Sequence, residues 1–129
     1  MNEKYSVFLV SDSTGETLGR IFLSLQYQFS NFNYEKKEFV FIRTEQQIEK
    51  IINESKLKPN SIILYTIVET KLAKFITSQS EKNNIPCYGI LGTLILNFSK
   101  LLNQKAIHKP SAQHVLDEDY YKRIEAIQY

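Results

Sequence analysis

Ser11-Asp12-Ser13-Thr14-Gly15-Glu16-Thr17 sets hydroxyls, carboxylates and a glycine side by side. An apolar run, Tyr5-Ser6-Val7-Phe8-Leu9-Val10, precedes it, and apolar residues at helical spacing follow. A buried strand that ends in a short hydroxyl-rich loop and opens a helix aims backbone N–H groups, hydroxyls and a positive helix end at one place. Phosphate is the anion that best suits such a place. The same residues suit a plainer role, in which Ser13 or Thr14 is an ordinary N-cap taking one orphan N–H of the first turn. Both readings stay open. Asp12 is a weak candidate for a general base, because a carboxylate repels a neighbouring phosphate unless a cation lies between, and a base is identified by geometry first.

The elements that would position this loop follow from periodicity. Tyr5 to Ser11 reads as a strand. Glu16 to about Phe29 reads as a helix, with Leu18, Phe22, Leu25 and Phe29 on one side. Lys37 to Arg43 reads as a second strand around Phe39-Val40-Phe41-Ile42. Thr44, with Gln47 three residues on, has the form of a capping box. The helix it opens runs to about Lys56 and buries Ile48, Ile51 and Ile52. Ser61 to Val68 is a third strand. Lys71 to Lys82 is a helix on Leu72, Phe75 and Ile76. Ile85 to Leu91 is a fourth strand, and Leu94 to Leu102 a helix that is apolar on more than one side. Continuous apolar strands between amphipathic helices imply an α/β fold: a Rossmann-like open parallel sheet of about four strands with helices on both faces.

Ligands of such sheets bind beyond the carboxyl ends of the strands. The strand ends pool Ser11, Asp12, Ser13 and Thr14 with Arg43 and Thr44, with Thr66 and Glu69, and with Gly89 and Gly92, which let backbone approach a ligand. Arg43 has the fork geometry that holds a phosphate bidentately, and equally suits a solvated charge at a strand end. The candidate phosphate-binding set is therefore Ser11, Ser13, Thr14, Gly15 and Arg43.

Residues 1–103 form the expected α/β domain and residues 104–115, polar and carrying Pro110, a linker. Residues 116–129 read as a helix, with Asp117, Glu118 and Asp119 favouring its N-terminal turn. Its stripe of Leu116, Tyr120, Ile124 and Ile127 calls for a partner surface on this domain or on another chain, and Tyr120 and Tyr121 suit such a contact. The sequence stops at Tyr129 without a helix-stop signal, which reads as a truncation.

Bulk properties narrow the function. The 129 residues are 43% hydrophobic, enough for one core. Sixteen basic residues against 14 acidic ones, net +2, argue for neither nucleic acid nor membrane as a partner. Cys87 is the single cysteine, so no intramolecular disulfide forms, and its apolar strand implies a buried, inert thiol. His108 and His114 lie on the linker without metal-ligand spacing, so no metal is expected. With no signal-peptide layout and no run of roughly 20 apolar residues, a cytoplasmic location is expected. Neither G-x-x-x-x-G-K-[ST] nor G-x-G-x-x-G occurs.

Six segments stand in order along the chain: Val10-Ser11-Asp12-Ser13-Thr14-Gly15-Glu16-Thr17, Ile42-Arg43-Thr44-Glu45, Tyr65-Thr66-Ile67-Val68, Ile85-Pro86-Cys87, Leu91-Gly92 and the stretch from Gln113 to Ile127. Together they resemble one family, the pyruvate, phosphate dikinase regulatory proteins and the related phosphoenolpyruvate synthase regulatory proteins. The resemblance spans this chain and the N-terminal half of the family. Lys109-Pro110-Ser111-Ala112 departs from it, since the family often has a glycine after the proline. The resemblance implies a bifunctional enzyme. Such an enzyme phosphorylates a threonine of the dikinase or synthase with ADP, inactivating it. It removes that phosphate with inorganic phosphate, releasing pyrophosphate. The resemblance also implies a P-loop in a C-terminal half, so this chain alone is expected to be inactive. A homodimer is a further expectation, and a non-catalytic phosphate-binding, dimerisation or target-docking module is the alternative.

Overall fold

The computed structural model describes residues 3–107. The chain runs β1 (Tyr5–Ser11), α1 (Glu16–Gln26), β2 (Tyr34–Phe39), α2 (Glu45–Lys56), β3 (Ser61–Thr66), α3 (Thr70–Lys82), β4 (Cys87–Gly89) and α4 (Gly92–Leu102). The four strands form one parallel sheet in the order β2-β1-β3-β4. The fold is α/β and Rossmann-like, as the alternating pattern predicts.

β1 is apolar from Val7 to Val10 because helices cover both its faces. Val7 and Leu9 pack with Leu18 and Phe22 of α1 and with Leu64. Phe8 and Val10 face the other way, onto Ile48, Ile51 and Ile52 of α2 and Leu72 and Ile76 of α3. Burying each such side chain contributes about 1.5–3 kcal/mol. α2 starts where the capping box predicts. The Thr44 hydroxyl accepts from the Gln47 N–H at 3.2 Å, and the Gln47 side chain accepts from the Thr44 N–H at 3.1 Å.

β3 stops two residues before the expected Val68 and α4 starts two before the expected Leu94, and three elements differ more from the sequence reading. The second strand is Tyr34–Phe39 rather than Lys37 to Arg43, and it carries exposed Glu35, Lys36, Lys37 and Glu38. It lies at the sheet edge, where burial is incomplete and an apolar run is not required. The strand closes because Phe41 turns into the left-handed region, φ 53°, and donates its N–H to the Ser13 carbonyl at 3.0 Å. Helix α1 ends at Gln26, short of Phe29, and both Leu25, in its last turn, and Phe29 are exposed rather than in the core. The fourth strand is only Cys87–Gly89. Cys87 is half-buried, packs on the core, and has its thiol pushed up by burial.

Residues 104–107 of the expected linker have no regular structure. The rest of the linker with His108 and His114, and the final helix with Tyr120 and Tyr121, lie outside the described residues. No described helix is long and apolar enough to cross a membrane.

Candidate phosphate-binding edge

The strand order puts the topological switch point beside β1, where open parallel sheets commonly bind ligands. The chain leaves β1 towards β2 on one side and returns through α2 to β3 on the other. Loops that diverge in this way open a gap at the carboxyl end of the sheet. The loops after β1, β2 and β3 meet there.

The loop after β1 is held by its backbone on both sides. The Asp12 N–H donates to the Thr66 carbonyl at 3.1 Å, from β3. On the other side the Ile42 N–H donates to the Ser11 carbonyl at 3.0 Å, beside the Phe41–Ser13 bond. Ser11 turns its hydroxyl inward, where it accepts from the Ser13 N–H at 3.1 Å. The chain then enters α1 through Gly15, the N-cap, at φ 86°. Only glycine takes that conformation without strain. A Cβ at Gly15 would also lie 3.0 Å from Val40 Cγ1.

The N-cap of α1 is thus neither Ser13 nor Thr14. Gly15 supplies no side-chain cap, and Thr14 Oγ1 accepts from the Glu16 N–H at a long 3.4 Å. Ser13 is fully buried, and its hydroxyl has no hydrogen-bond partner among the described residues. The same holds for Thr66 Oγ1 and Asp12 Oδ1. A buried polar atom left in this state costs about 1–3 kcal/mol. Three of them gather at this one edge.

Asp12 ties the three loops together. Its Oδ2 accepts from the Val68 N–H at 2.8 Å, fixing the approach to α3. Its carbonyl accepts from Arg43 Nε at 2.8 Å, fixing the guanidinium beside the loop. The carboxylate is 1% exposed. Burial pushes its pKa above the ordinary value, against the pull of the Val68 N–H and the Arg43 charge. In this position the carboxylate organises backbone through the Val68 N–H, while its Oδ1 is left without a partner among the described residues.

Ser11, Asp12, Ser13, Thr14, Gly15 and Arg43 therefore come together at one edge, with Arg43 exposed and Thr14 and Gly15 half-exposed. The positive end of α1 and the tethered guanidinium offer an anion both charge and directed donors. Other pooled residues do different work. Thr44 spends its hydroxyl on capping α2. Gly89 leaves room for a side chain and not for a ligand, since a Cβ there would meet the Tyr65 ring at 2.6 Å. Glu69 is the N-cap of α3 but makes no side-chain cap bond. Two contributors were missed: the Val68 N–H, which carries no side-chain signal, and Val40 with Phe41, whose apolar character reads as strand.

The kinase/pyrophosphorylase family model matches residues 7–129. A pyruvate, phosphate dikinase regulatory protein of Pelagibacter ubique (strain HTCC1062), as it is named, is 57% identical over 129 residues, covering 100% of this chain and 47% of the relative. Proteins of the same name from Chelativorans sp. (strain BNC1) and Halothermothrix orenii are 34% and 32% identical, over 97% and 100% of this chain and 46% and 48% of theirs. The chain spans about half the length of these curated relatives. A match over nearly every residue places it: the chain belongs to the kinase/pyrophosphorylase family.

Proposed function

We propose that this chain is the N-terminal part of a bifunctional enzyme, an ADP-dependent serine/threonine kinase and a phosphate-dependent pyrophosphorylase. Its protein substrate is pyruvate, phosphate dikinase or phosphoenolpyruvate synthase. In one direction a phosphoryl group passes from ADP to a threonine hydroxyl of the target and inactivates it. In the other, that phosphoryl group passes to inorganic phosphate, releasing pyrophosphate and restoring the target. The family match supports the reading, and the observation that carries a role for this part is Arg43, tethered to the β1–α1 loop beside the positive end of α1. Ser11, Ser13, Thr14, Gly15 and Arg43 would then receive inorganic phosphate or the phosphorylated threonine. Phosphoryl transfer depends mostly on positioning and charge stabilisation around the phosphates. No P-loop motif occurs in these 129 residues, and this chain alone is expected to be inactive.

One observation favours a second reading. The Ser11 hydroxyl is already engaged and that of Ser13 is sealed, which suits a loop that only shapes a docking or dimerisation module. Calorimetric titration with phosphate, pyrophosphate and ADP separates the two. Phosphate binding without ADP binding supports the first reading. Arg43→Ala should then weaken phosphate by roughly tenfold to a hundredfold, the worth of a hydrogen bond to a charged group. Unchanged affinity removes Arg43 from the site, and no binding of any of the three leaves the docking module.

A further inference from the structure

Phe41 to Thr44 lead from the edge strand into α2, and all four of their backbone N–H groups are engaged. The first two donate to the β1–α1 loop, Phe41 to the Ser13 carbonyl and Ile42 to the Ser11 carbonyl, each at 3.0 Å. The next two donate to a single atom of α2. Gln47 Oε1 accepts from the Arg43 N–H at 2.7 Å and from the Thr44 N–H at 3.1 Å. A capping box requires only the bond to the N-cap residue, here Thr44. The shorter bond, to Arg43, is additional, and its effect falls on the residue that carries the site's guanidinium.

Arg43 is therefore held at both ends. Its backbone is fixed to Gln47, and its Nε donates to the Asp12 carbonyl at 2.8 Å. A guanidinium has five N–H donors, so with Nε engaged the four on Nη1 and Nη2 are left for a ligand. Arg43 is exposed and makes no ion pair among the described residues. A long side chain ordered in advance loses less freedom when it binds.

We propose that Gln47 is a positioning residue of the phosphate site: through the Arg43 N–H it fixes the backbone from which Arg43 offers Nη1 and Nη2 to a phosphoryl group beside the N-terminus of α1. The inference rests on the phosphate reading of this edge and adds a half-buried residue of α2 that acts only through Arg43.

The test compares three variants of the 129-residue chain with the parent. Gln47→Met keeps the length of the side chain and removes the acceptor. Thr44→Ala weakens the same cap but leaves both N–H donors on Gln47 Oε1, so it reports a poorer helix start alone. Gln47→Glu keeps an acceptor within reach. One readout is calorimetric affinity for inorganic phosphate and for O-phosphothreonine, which share the phosphoryl group and separate its two sources. The other is NMR exchange of the Arg43 Nε–H with water, measured without ligand. Gln47→Met should weaken the tighter of the two ligands by about threefold to tenfold, the effect of one long side chain no longer ordered in advance. It should also speed exchange of the Arg43 Nε–H several-fold. Thr44→Ala should match the parent in both readouts, and Gln47→Glu should keep the slow exchange. A Gln47→Met protein that matches the parent in either readout would overturn the proposal, as would a Thr44→Ala protein as impaired as Gln47→Met, or fast exchange in Gln47→Glu. Binding of neither ligand by the parent would overturn the phosphate reading and the proposal together, which sets that failure apart from the others.

Discussion

Gly15→Ala tests whether the entry to α1 is as tightly set as the geometry requires. Two costs add. At φ 86° an alanine occupies the left-handed region, which disfavours a Cβ by about 1–2 kcal/mol. That Cβ would also stand 3.0 Å from Val40 Cγ1, so one of the two must move. Val40 is 42% exposed and has room to give, which holds the second cost to about 0.5–1 kcal/mol, below the usual range for overpacked cores. Together they predict a loss of about 2 kcal/mol, or roughly 5–10 °C in Tm for a domain of this size. Urea unfolding followed by circular dichroism measures it. The same measurement on Val40→Ala and on the double variant isolates the contact, which should return about 0.5–1 kcal/mol as a coupling. If Gly15→Ala stays within about 0.5 kcal/mol of the parent, the loop adapts freely and the argument from its conformation fails.

Three further outcomes follow from other bonds. Thr44→Ala breaks the capping box and should cost about 1 kcal/mol in urea unfolding, whereas a neutral result would mean that water replaces the cap fully. Asp12 binds a proton more readily folded than unfolded, because burial raises its pKa above 3.8. Its contribution is therefore favourable below that pH and is lost as pH rises through the raised value. Asp12→Asn should flatten the fall in stability over that weakly acidic window; parallel profiles for the two proteins would contradict the burial argument. Arg43→Lys keeps the charge but loses the fork, so its phosphate affinity should fall between those of the parent and Arg43→Ala, and parity with the parent would mean that charge alone matters.

How much was legible depends on what each residue needs to be recognised. β1 and α2 declare themselves locally, one by an unbroken apolar run and the other by Thr44 and Gln47 at capping-box spacing. Phe39-Val40-Phe41-Ile42 misleads because four apolar residues look like a strand interior, while the edge strand beside them is charged. Its true end is set by Phe41 bonding to Ser13, a contact 28 residues away in sequence that only the fold creates. The loop residues were picked out by type, since hydroxyls and a glycine after a strand suit an anion as well as a helix cap. Their orientation was not found: nothing in the sequence says that Ser13 turns inward, that Gly15 is the cap, or that Asp12 reaches the Val68 N–H. Those facts depend on which loops the sheet order brings together.

The charged edge strand limits how this protein can associate. Glu35 is flanked by Lys4 and Lys58 at 3.4 and 3.3 Å, and Lys37 meets Glu54 at 2.6 Å. A strand from another molecule adding alongside β2 would have to strip water from this lattice of charges, and alternating signs offer it no single complementary pattern. The opposite border, β4, is three residues long and gives an incoming strand almost nothing to pair with. Among the described residues the open sheet thus offers an added strand little at either margin. Among the described residues, the helices rather than the sheet edges are the surfaces open to assembly, which lowers the tendency of the folded sheet to template strand addition.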